Sequence, residues 1–574
     1  MRQRPILLGS ILITMGPLAA PNPRPDEPAL ITALLAGPAA ADHAQPSAPA
    51  SQAATPEMAP LFDDLGRHTH PVTTASPLAQ RYFDQGLRLV YAFNHDEARR
   101  SFEQAARLDP SFAMAHWGVA LTLGPNINLP TDAEREQAAY DAVQRALSTM
   151  DGASAAEQGY IRALAVRYAR TPGTDRRARD VAYADAMRAL SGAYPDDLDA
   201  ATLFAEALMD LRPWDLWTHE GKPQPGTEEI VATLESVLAR NPDHPGANHY
   251  YIHAVEASPH PERALASADR MGKLMPGAGH MVHMASHIYM RLGRYADAAE
   301  ANVRAIEADR AYLAAARPDG FYAEMYLPHN LQFLTVSSAF EGRRAASMQA
   351  ARETAAAVSD SMVEKMPMLE SFRAMPSLVM ARFGAWDAAL AEPAPPPQQR
   401  HATAIHAWTR AVSAVRMGRW YPALYERARF ETARAEVPAD LRLTGNNHAA
   451  AVLEVASKIL EGEIAAARGR VDEAIVTLQR AVELEDALAY GEPPDWPIPA
   501  RHTLGAVLVA AGRAAEAEQV YRDDLRHNPE NGWALLGLTQ SLLMQGRGAE
   551  AAETRDRFRR AFARADVTPP ASRY

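Results

Sequence analysis

A glycine followed five residues later by an alanine recurs along the second half of the chain. The segments read GRYADAA, GAWDAAL, GRWYPAL, GRVDEAI, GRAAEAE and GRGAEAA, and they begin at Gly293, Gly384, Gly418, Gly469, Gly512 and Gly546. Alanines in this register are 34 residues apart in three pairs, which are Ala264 and Ala298, Ala389 and Ala423, and Ala517 and Ala551. Glycine tolerates the left-handed conformation of a tight turn, and small residues let helices approach closely. The pattern therefore predicts pairs of helices stacked in a repeating array.

The repeating unit is most complete in two segments. YFDQGLRLVYAFNHDEARRSFEQAARLDP contains Gly86, Ala98, Phe102, Ala105 and Pro110, and RHTLGAVLVAAGRAAEAEQVYRDDLRHNP contains Gly505, Ala517, Tyr521 and Pro529. A 34-residue unit of helix, glycine turn, helix and Asn/Asp-Pro stop resembles the tetratricopeptide repeat. The resemblance covers most of residues 78–564. It implies an all-α chain that forms an α-solenoid, a right-handed superhelix of roughly ten to twelve helix pairs.

Length, charge and cysteine content exclude several classes of protein. A chain of 574 residues is too long for one compact core, which favours an array. The net charge of −12 and the interspersed basic residues argue against nucleic acid as a partner. The chain has no cysteine, so disulfides, thiolate nucleophiles and cysteine-ligated metals are excluded. Any metal site must use histidine, carboxylate, methionine or amide groups.

The N-terminus has the order of a secretory signal. Arg2 and Arg4 precede an apolar run from Ile6 to Leu18, and small residues follow. We interpret residues 1–58 as a signal peptide and a disordered Ala/Pro-rich segment, the alternative being a disordered tail alone. The protein is therefore predicted to be periplasmic or secreted. The apolar runs are shorter than the ~20 residues of a membrane helix, so the protein is not predicted to be an integral membrane protein after signal cleavage.

The rest of the chain is predicted to have three parts. Residues 59–243 form N-terminal repeats with an insertion near 210–227. Residues 244–360 form central repeats rich in histidine. Residues 361–574 form C-terminal repeats with a proline-rich loop at 488–500. Loops that depart from a repeat often carry function, because the rigid scaffold positions them.

Histidine is concentrated in the central part. Seven of the 19 histidines lie between His244 and His287. At the 34-residue period, His249 is equivalent to His283 and His253 is equivalent to His287. The members of each pair are four residues apart, so they lie on one face of a helix. In tetratricopeptide proteins the first helix of each repeat lines the concave groove, so the resemblance places both pairs there, on helices packed ~8–10 Å apart.

Three further side chains are predicted to join these two pairs. His280 and Glu256 each lie three residues from a paired histidine, His283 and His253, on the same helical faces. His329, in LPHNL, has the position in its repeat that His280 has in its own. The sequence therefore predicts that these seven residues bind a transition metal ion in the groove.

Other polar residues of interest are assigned to the groove wall or to turns. The candidates for lining the groove are Asn248, Tyr289, His502 and Trp496. His244 and His260 lie in turns between helices and are interpreted as loop residues without a role as ligands.

The nature of the metal and the reaction remain open at this point. Nitrogen and oxygen ligands without thiolate suit zinc, copper or iron, and more than four ligands allow two ions. The sequence has no HExxH, GxSxG or phosphate-loop motif, so it predicts no particular reaction. One alternative is a hydrogen-bonded histidine network that stiffens the array. Another is a metal-free scaffold whose groove binds a peptide or a partner protein.

Four segments of the chain also resemble a narrower group. NPDHPGANHYYIHAVE, GHMVHMASHIYMRLGRY, YLPHNL and YGEPPDWPIPARH together look like a group of exported bacterial tetratricopeptide-repeat proteins with a His-rich central groove. The resemblance implies that these segments form one functional unit. It supplies neither a substrate nor a catalytic residue.

Overall fold

The structure is a computed structural model that describes residues 59–316, 321–444 and 446–574. Regular structure within these residues is helical, with three isolated β-bridges and no β-strand. The predicted all-α class and α-solenoid are confirmed. The predicted signal peptide and Ala/Pro-rich segment lie outside the described residues. None of the described helices is long and apolar enough to cross a membrane.

The described residues contain 26 α-helices, and helices that are adjacent in the chain pack together along most of its length. Those of the N-terminal and central parts are α1 (Pro77–Tyr91), α2 (His95–Leu108), α3 (Ala113–Thr122), α4 (Ala133–Thr149), α5 (Ala155–Ala165), α6 (Arg176–Ala193), α7 (Leu198–Met209), α8 (Thr227–Arg240), α9 (Pro245–Glu256), α10 (Leu265–Leu274), α11 (Gly279–His283), α12 (Ala285–Arg291), α13 (Tyr295–Ala316), α14 (Phe321–Phe340) and α15 (Arg344–Ala356).

The C-terminal part continues the same arrangement. Its helices are α16 (Asp360–Lys365), α17 (Glu370–Arg382), α18 (Trp386–Ala391), α19 (Arg400–Arg416), α20 (Trp420–Ala435), α21 (Ala449–Ala467), α22 (Val471–Asp486), α23 (Ala500–Ala510), α24 (Ala514–His527), α25 (Gly532–Met544) and α26 (Gly548–Ala561). Short 3₁₀ helices occur at Met150–Gly152, Pro261–Ala264 and Pro367–Leu369.

Left-handed turns occur at the glycines that the repeat pattern predicts. The φ angle lies between +63° and +77° at Gly293, Gly384, Gly418, Gly469, Gly512 and Gly546. The alanine five residues after each glycine is at most 1% exposed, at Ala298, Ala389, Ala423, Ala474, Ala517 and Ala551. Glycine turns and buried alanines therefore have the roles that their spacing indicated.

Glycines inside helices leave room for an aromatic ring from the neighbouring helix. The ring of Phe102 in α2 lies against Gly86 in α1 and Gly118 in α3. A Cβ atom at Gly118 would lie 2.4 Å from the Phe102 ring, and one at Gly86 would lie 2.7 Å from it. Tyr521 has the same relation to one glycine in α23 and one in α25. The repeat thus packs each ring against two helix backbones.

The interruptions of the array fall in loops. The predicted insertion near 210–227 is the loop between α7 and α8, and the proline-rich loop at 488–500 lies between α22 and α23. The predicted boundary at 243/244 falls between two helices, whereas the one at 360/361 cuts α16. One buried apolar cluster runs from Ala59 to Trp533. The three predicted parts therefore share a continuous core.

Replacing Gly118 by alanine should destabilise the protein by about 1–3 kcal/mol, because the added methyl group overlaps the Phe102 ring. The control is Gly192→Ala in α6, where an added Cβ would meet nothing within 4 Å. This control should be neutral or stabilising by up to about 1 kcal/mol. Urea unfolding followed by circular dichroism measures both changes, and equal stability of the two variants would contradict the packing described.

Candidate metal centre

Three stretches of helix bring six imidazoles together. Helix α9 carries His249 and His253, α11 and α12 carry His280, His283 and His287, and α14 carries His329. The first five are at most 6% exposed, and His329 is partly buried. The imidazoles alone form two groups whose candidate ligand atoms lie within 4.8 Å of one another, and a third group joins His253 and His287 with Glu256. We call His249, His253 and His280 trio A, and His283, His287 and His329 trio B.

Short contacts between ring nitrogens define the two trios. In trio A, the Nε2 atom of His249 lies 3.1 Å from His253 Nε2 and 3.1 Å from His280 Nε2. In trio B, the Nε2 atoms of His283 and His287 are 2.9 Å apart. The ring centroid of His329 is 4.8 Å from that of His283. Each trio therefore converges on its own small volume.

Trio B is a structural copy of trio A. Each consists of a pair four residues apart and a third histidine from the following first helix. The pairs are offset by 34 residues (283 − 249), and the third members are offset by 49 residues (329 − 280). In both His280 and His329, the Nδ1 atom is buried without a hydrogen-bond partner. Duplication of one repeat, with a lengthened connection, thus gives two similar ligand sets.

Carbonyl oxygens hold the outer nitrogen of one histidine in each trio. Nδ1 of His249 lies 2.6 Å from the backbone oxygen of Tyr91, and Nδ1 of His283 lies 2.7 Å from Oδ1 of Asn302. The Asn302 amide nitrogen donates to the oxygen of Ala298, which fixes Oδ1 as the acceptor. Since carbonyl oxygens only accept, both Nδ1 atoms carry the proton. The Nε2 atoms are therefore left with lone pairs.

Glu256 connects the two trios through its carboxylate. Oε1 accepts from Nδ1 of His253 at 2.6 Å, and Oε2 accepts from Nδ1 of His287 at 2.5 Å. The Tyr490 hydroxyl donates to Oε2 at 3.2 Å. Burial alone would raise the pKa of Glu256, but His287 and His253 outweigh it and hold this pKa below its usual range. The prediction that Glu256 ligates the metal stays a prediction: its oxygens contact Nδ1 atoms and orient the rings from behind, and they also form a candidate ligand group with His253 and His287.

The protonated Nδ1 atoms have a consequence for the short Nε2 contacts. A neutral imidazole has one N–H group, so the Nε2 atoms of His249 and His253 both present lone pairs, as do those of His283 and His287. Lone pairs facing each other at 3.1 and 2.9 Å cannot form a hydrogen bond. Two nitrogens that share a zinc ion at ~2.0–2.1 Å lie about 2.9–3.4 Å apart. The geometry fits a shared cation.

An added proton does not explain these contacts. Burial lowers the pKa of His249, His280 and His283 well below the ordinary value, and it lowers that of His329 to about 3. The pKa of His253 is lowered as well, again mainly by burial. These five imidazoles are therefore neutral near pH 7, the form in which histidine binds metals.

Each trio has its own phenylalanine, whose ring packs against all three imidazoles. The Phe93 ring is 4.5–6.0 Å from the rings of trio A, and the Phe333 ring is 4.5–5.0 Å from those of trio B, measured between centroids. Apolar packing restricts access of water and fixes ring orientation. Sequence reasoning did not identify either phenylalanine.

The trios open into a cavity of about 580 Å³. Both trios contribute to its wall, through His253, His280, His287 and His329. Much of the remaining wall comes from loops, which include residues 125–131, 213–214, 442–444 and 491–492. Segments that interrupt the array are thus gathered around the histidines, as expected for one functional unit.

The four candidates for lining the groove lie away from this cavity. Asn248 donates to the oxygens of Pro242 and His244 at the start of α9, and Tyr289 donates to Asp269. His502 lies in a separate buried network between Arg382, Asp524 and Asn531, and the Trp496 ring packs edge-on against Trp408. None of the four lines this cavity, and their assignment to the groove stays a prediction.

A second histidine cluster was missed in the sequence. Asp199 accepts from His68 Nε2 and His70 Nδ1, both at 2.8 Å, and from His244 Nε2 at 3.2 Å. The Tyr91 hydroxyl also donates to it. His244 lies in the turn before α9, as predicted, and its side chain is fully buried. In this Asp199 cluster no two imidazole nitrogens meet in a short contact: three contacts end on the carboxylate, and Nδ1 of His244 accepts from the backbone N–H of Ala247 at 3.1 Å. The segment HTH at 68–70 was its only local signal.

Comparison with known proteins identifies the repeat. Family models described as tetratricopeptide repeat match residues 280–312, which span α11–α13, and residues 508–565, which span α23–α26. No curated protein matches the sequence. Among solved structures, the human IFIT1 dimer with PPP-AAAA is 14% identical, with a TM-score of 0.31 over 83% of this chain and 88% of that chain. Yeast Tom70 is 13% identical, with a TM-score of 0.26 over 84% and 92%.

Acidification should destabilise the metal-free protein through its buried imidazoles. His280 stays neutral when folded because burial lowers its pKa, whereas the unfolded chain takes up a proton below pH 6.5. The unfolded state then binds more protons, so stability is lost as pH falls, by about 1.4 kcal/mol per pH unit. Relative to His280→Asn, the wild type should therefore lose stability at this rate between pH 6 and pH 5.

Urea unfolding at each pH measures the difference. The control is His260→Asn, because the side chain of His260 is 70% exposed. The stability of this control should change with pH as that of the wild type does. If the stability of His280→Asn also changes in the same way, His280 is protonated in the folded state and the account of neutral imidazoles is wrong.

Proposed function

Because the chain is a tetratricopeptide-repeat protein whose stacked helices gather two imidazole trios, we propose that it binds transition-metal ions, one in each trio. The supporting observation is the pair of contacts between unprotonated Nε2 atoms, at 3.1 Å in trio A and 2.9 Å in trio B. A cation between the lone pairs turns a repulsive contact into two coordinate bonds.

The donor set limits the choice of metal. Six imidazoles suit zinc, copper or iron, and the chain has no cysteine to add a soft thiolate. Three protein ligands for each ion leave at least one position open, which is the arrangement of zinc sites that bind water or substrate. Members of both trios line the cavity, so the open positions face it. We therefore propose a metal centre that is accessible to a small molecule.

Glu256 makes the two ions interdependent in this proposal. Its two oxygens hold the Nδ1–H groups of His253 in trio A and of His287 in trio B. A carboxylate behind a ligating imidazole raises its basicity and fixes its orientation. Loss of this one side chain should therefore weaken both sites together.

Two further parts of the proposal concern partners and location. A metal-free scaffold that binds a peptide or partner protein in the groove is the alternative function, and metal content separates the two.

We also propose export to the periplasm or beyond, on the basis of the signal-like order of residues 1–58. Protease treatment of cells with a permeabilised outer membrane and an intact inner membrane tests export, because an exported protein is cleaved there without lysis.

Untagged protein reconstituted with zinc should contain two ions per chain. His249→Ala should leave one ion, because it disrupts only trio A, and His253→Ala with His287→Ala should remove both. The control His260→Ala should retain two, since its side chain is 70% exposed. Elemental analysis after gel filtration gives the counts. Fewer than one ion per wild-type chain would favour the metal-free scaffold.

Glu256→Gln should lower the affinity for both ions by about 10–100-fold, as is usual for loss of a carboxylate behind ligating imidazoles. An amide is uncharged and offers only one acceptor oxygen, so one of the two Nδ1–H groups loses its partner and the other loses its charge-assisted hydrogen bond. Competition with a chromophoric chelator measures the affinity. The matched control is Glu262→Gln, whose side chain is 55% exposed. Unchanged affinity in Glu256→Gln would contradict the proposed coupling.

A further inference from the structure

The third histidine of each trio lacks the hydrogen bond that holds the other two. In the four paired imidazoles, Nδ1 lies 2.5–2.7 Å from an oxygen atom. In the third members, His280 and His329, Nδ1 is buried and has no hydrogen-bond partner among the described residues. The positions of these two rings therefore depend on the backbone that carries them and on the side chains packed against them.

One buried carboxylate on α13 is linked to both of these backbone segments. Asp309 is fully buried, its Oδ1 accepts from the Tyr322 hydroxyl at 2.8 Å, and its Oδ2 accepts from Nδ2 of Asn330 at 2.7 Å. The Tyr322 hydroxyl in turn accepts from the backbone N–H of His280 at 3.2 Å. Asn330 directly follows His329 in α14. The two oxygens of Asp309 thus reach both third members, each through one residue.

A glycine brings the start of α11 directly against this carboxylate. A Cβ atom at Gly279 would lie 2.0 Å from Oδ1 of Asp309 and 2.7 Å from the backbone oxygen of Ala305. Any other residue at this position would push α11 away from α13, because only glycine allows so close an approach. Gly279 immediately precedes His280, so this contact fixes where the His280 backbone lies.

The tyrosine that Asp309 holds also supports the ring of His280. The Tyr322 ring lies 4.9 Å from the Tyr326 ring, and the Tyr326 ring lies 4.5 Å from the His280 ring, measured between centroids. Tyr322 and Tyr326 are four residues apart in α14, so they lie on one face of that helix. The hydrogen bond to Asp309 therefore orders both the backbone N–H of His280 and the aromatic stack beside its ring.

We propose that Asp309 is a positioning residue for both metal sites, which sets where His280 enters trio A and where His329 enters trio B. This inference rests on the metal binding proposed above and adds a second connection between the two sites. Glu256 joins the paired histidines from behind their rings, whereas Asp309 joins the third members through α11 and α14. Asp309 acts through these helices and does not itself contact a metal ion.

Cobalt(II) titration of the untagged full chain at pH 8 tests the proposal, with affinity measured by chelator competition and coordination by visible absorption. Burial raises the pKa of Asp309 to about 7, so its carboxylate is mostly ionised at this pH. Asp309→Asn should lower the affinity of both trios about tenfold, because an amide has only one acceptor oxygen. The absorption of bound cobalt should change as well, because a displaced third imidazole alters the coordination of the ion.

Tyr322→Phe separates the two links, because it keeps the ring and removes only the hydroxyl between Asp309 and His280. Each site is measured alone, trio A in a His283→Ala background and trio B in a His249→Ala background. Tyr322→Phe should weaken cobalt binding about tenfold in trio A and leave trio B unchanged. Equal effects on the two trios would contradict the separate links.

The matched control is Asp524→Asn. Asp524 is a buried carboxylate that contacts His502 at 3.0 Å and Asn531 at 3.1 Å, in a network apart from the trios. This control should lose stability in urea unfolding and keep the cobalt affinity and absorption of the wild type. A merely structural role of Asp309 would give Asp309→Asn the same result as this control.

The outcomes distinguish this inference from the metal centre on which it rests. A wild type with two cobalt ions, together with unchanged affinity and absorption in Asp309→Asn, would overturn the inference and leave the metal centre standing. A wild type that takes up no cobalt would contradict both. If Asp309→Asn does not fold, Tyr322→Phe decides, and unchanged cobalt binding in trio A of that variant would overturn the inference.

Discussion

The structure of the central region depends on imidazole nitrogens that face each other with their lone pairs. His249 and His253 meet through Nε2 atoms 3.1 Å apart, and His283 and His287 meet at 2.9 Å. These contacts follow from hydrogen bonds on the opposite side of each ring, where carbonyl and carboxylate oxygens take up the Nδ1–H groups. The protein therefore fixes four rings in the tautomer that leaves a cation-binding nitrogen inside.

The repeat architecture explains why this arrangement occurs twice. A tetratricopeptide array places equivalent residues on successive first helices, so a pair four residues apart recurs at the 34-residue period. The Asp199 cluster shows the contrast, because there three histidines each direct a ring nitrogen at one carboxylate. The number of histidines alone does not distinguish the trios from the Asp199 cluster. The difference is that ring nitrogens face other ring nitrogens in the trios and a carboxylate in the Asp199 cluster.

The sequence predicted those features that repeat with a fixed period. Glycine turns, buried alanines and the register of the histidine pairs all follow from spacing, and His280 and His329 followed from aligning one more turn. Contacts between distant segments could not be predicted, because no local pattern encodes them. Tyr91 is 158 residues from His249, and Tyr490 is 234 residues from Glu256. The same limitation explains why the sequence did not show that Trp496 and His502 lie outside this cavity.

Anomalous diffraction from crystals of zinc-loaded, untagged protein tests the central claim most directly. The account predicts two peaks, one in each trio, each within about 2.0–2.1 Å of Nε2 atoms. Glu256 should remain bound to the Nδ1 atoms behind the rings. Peaks bound through Nδ1 or through the Glu256 carboxylate, or crystals in which both trios remain empty at saturating zinc, would contradict it.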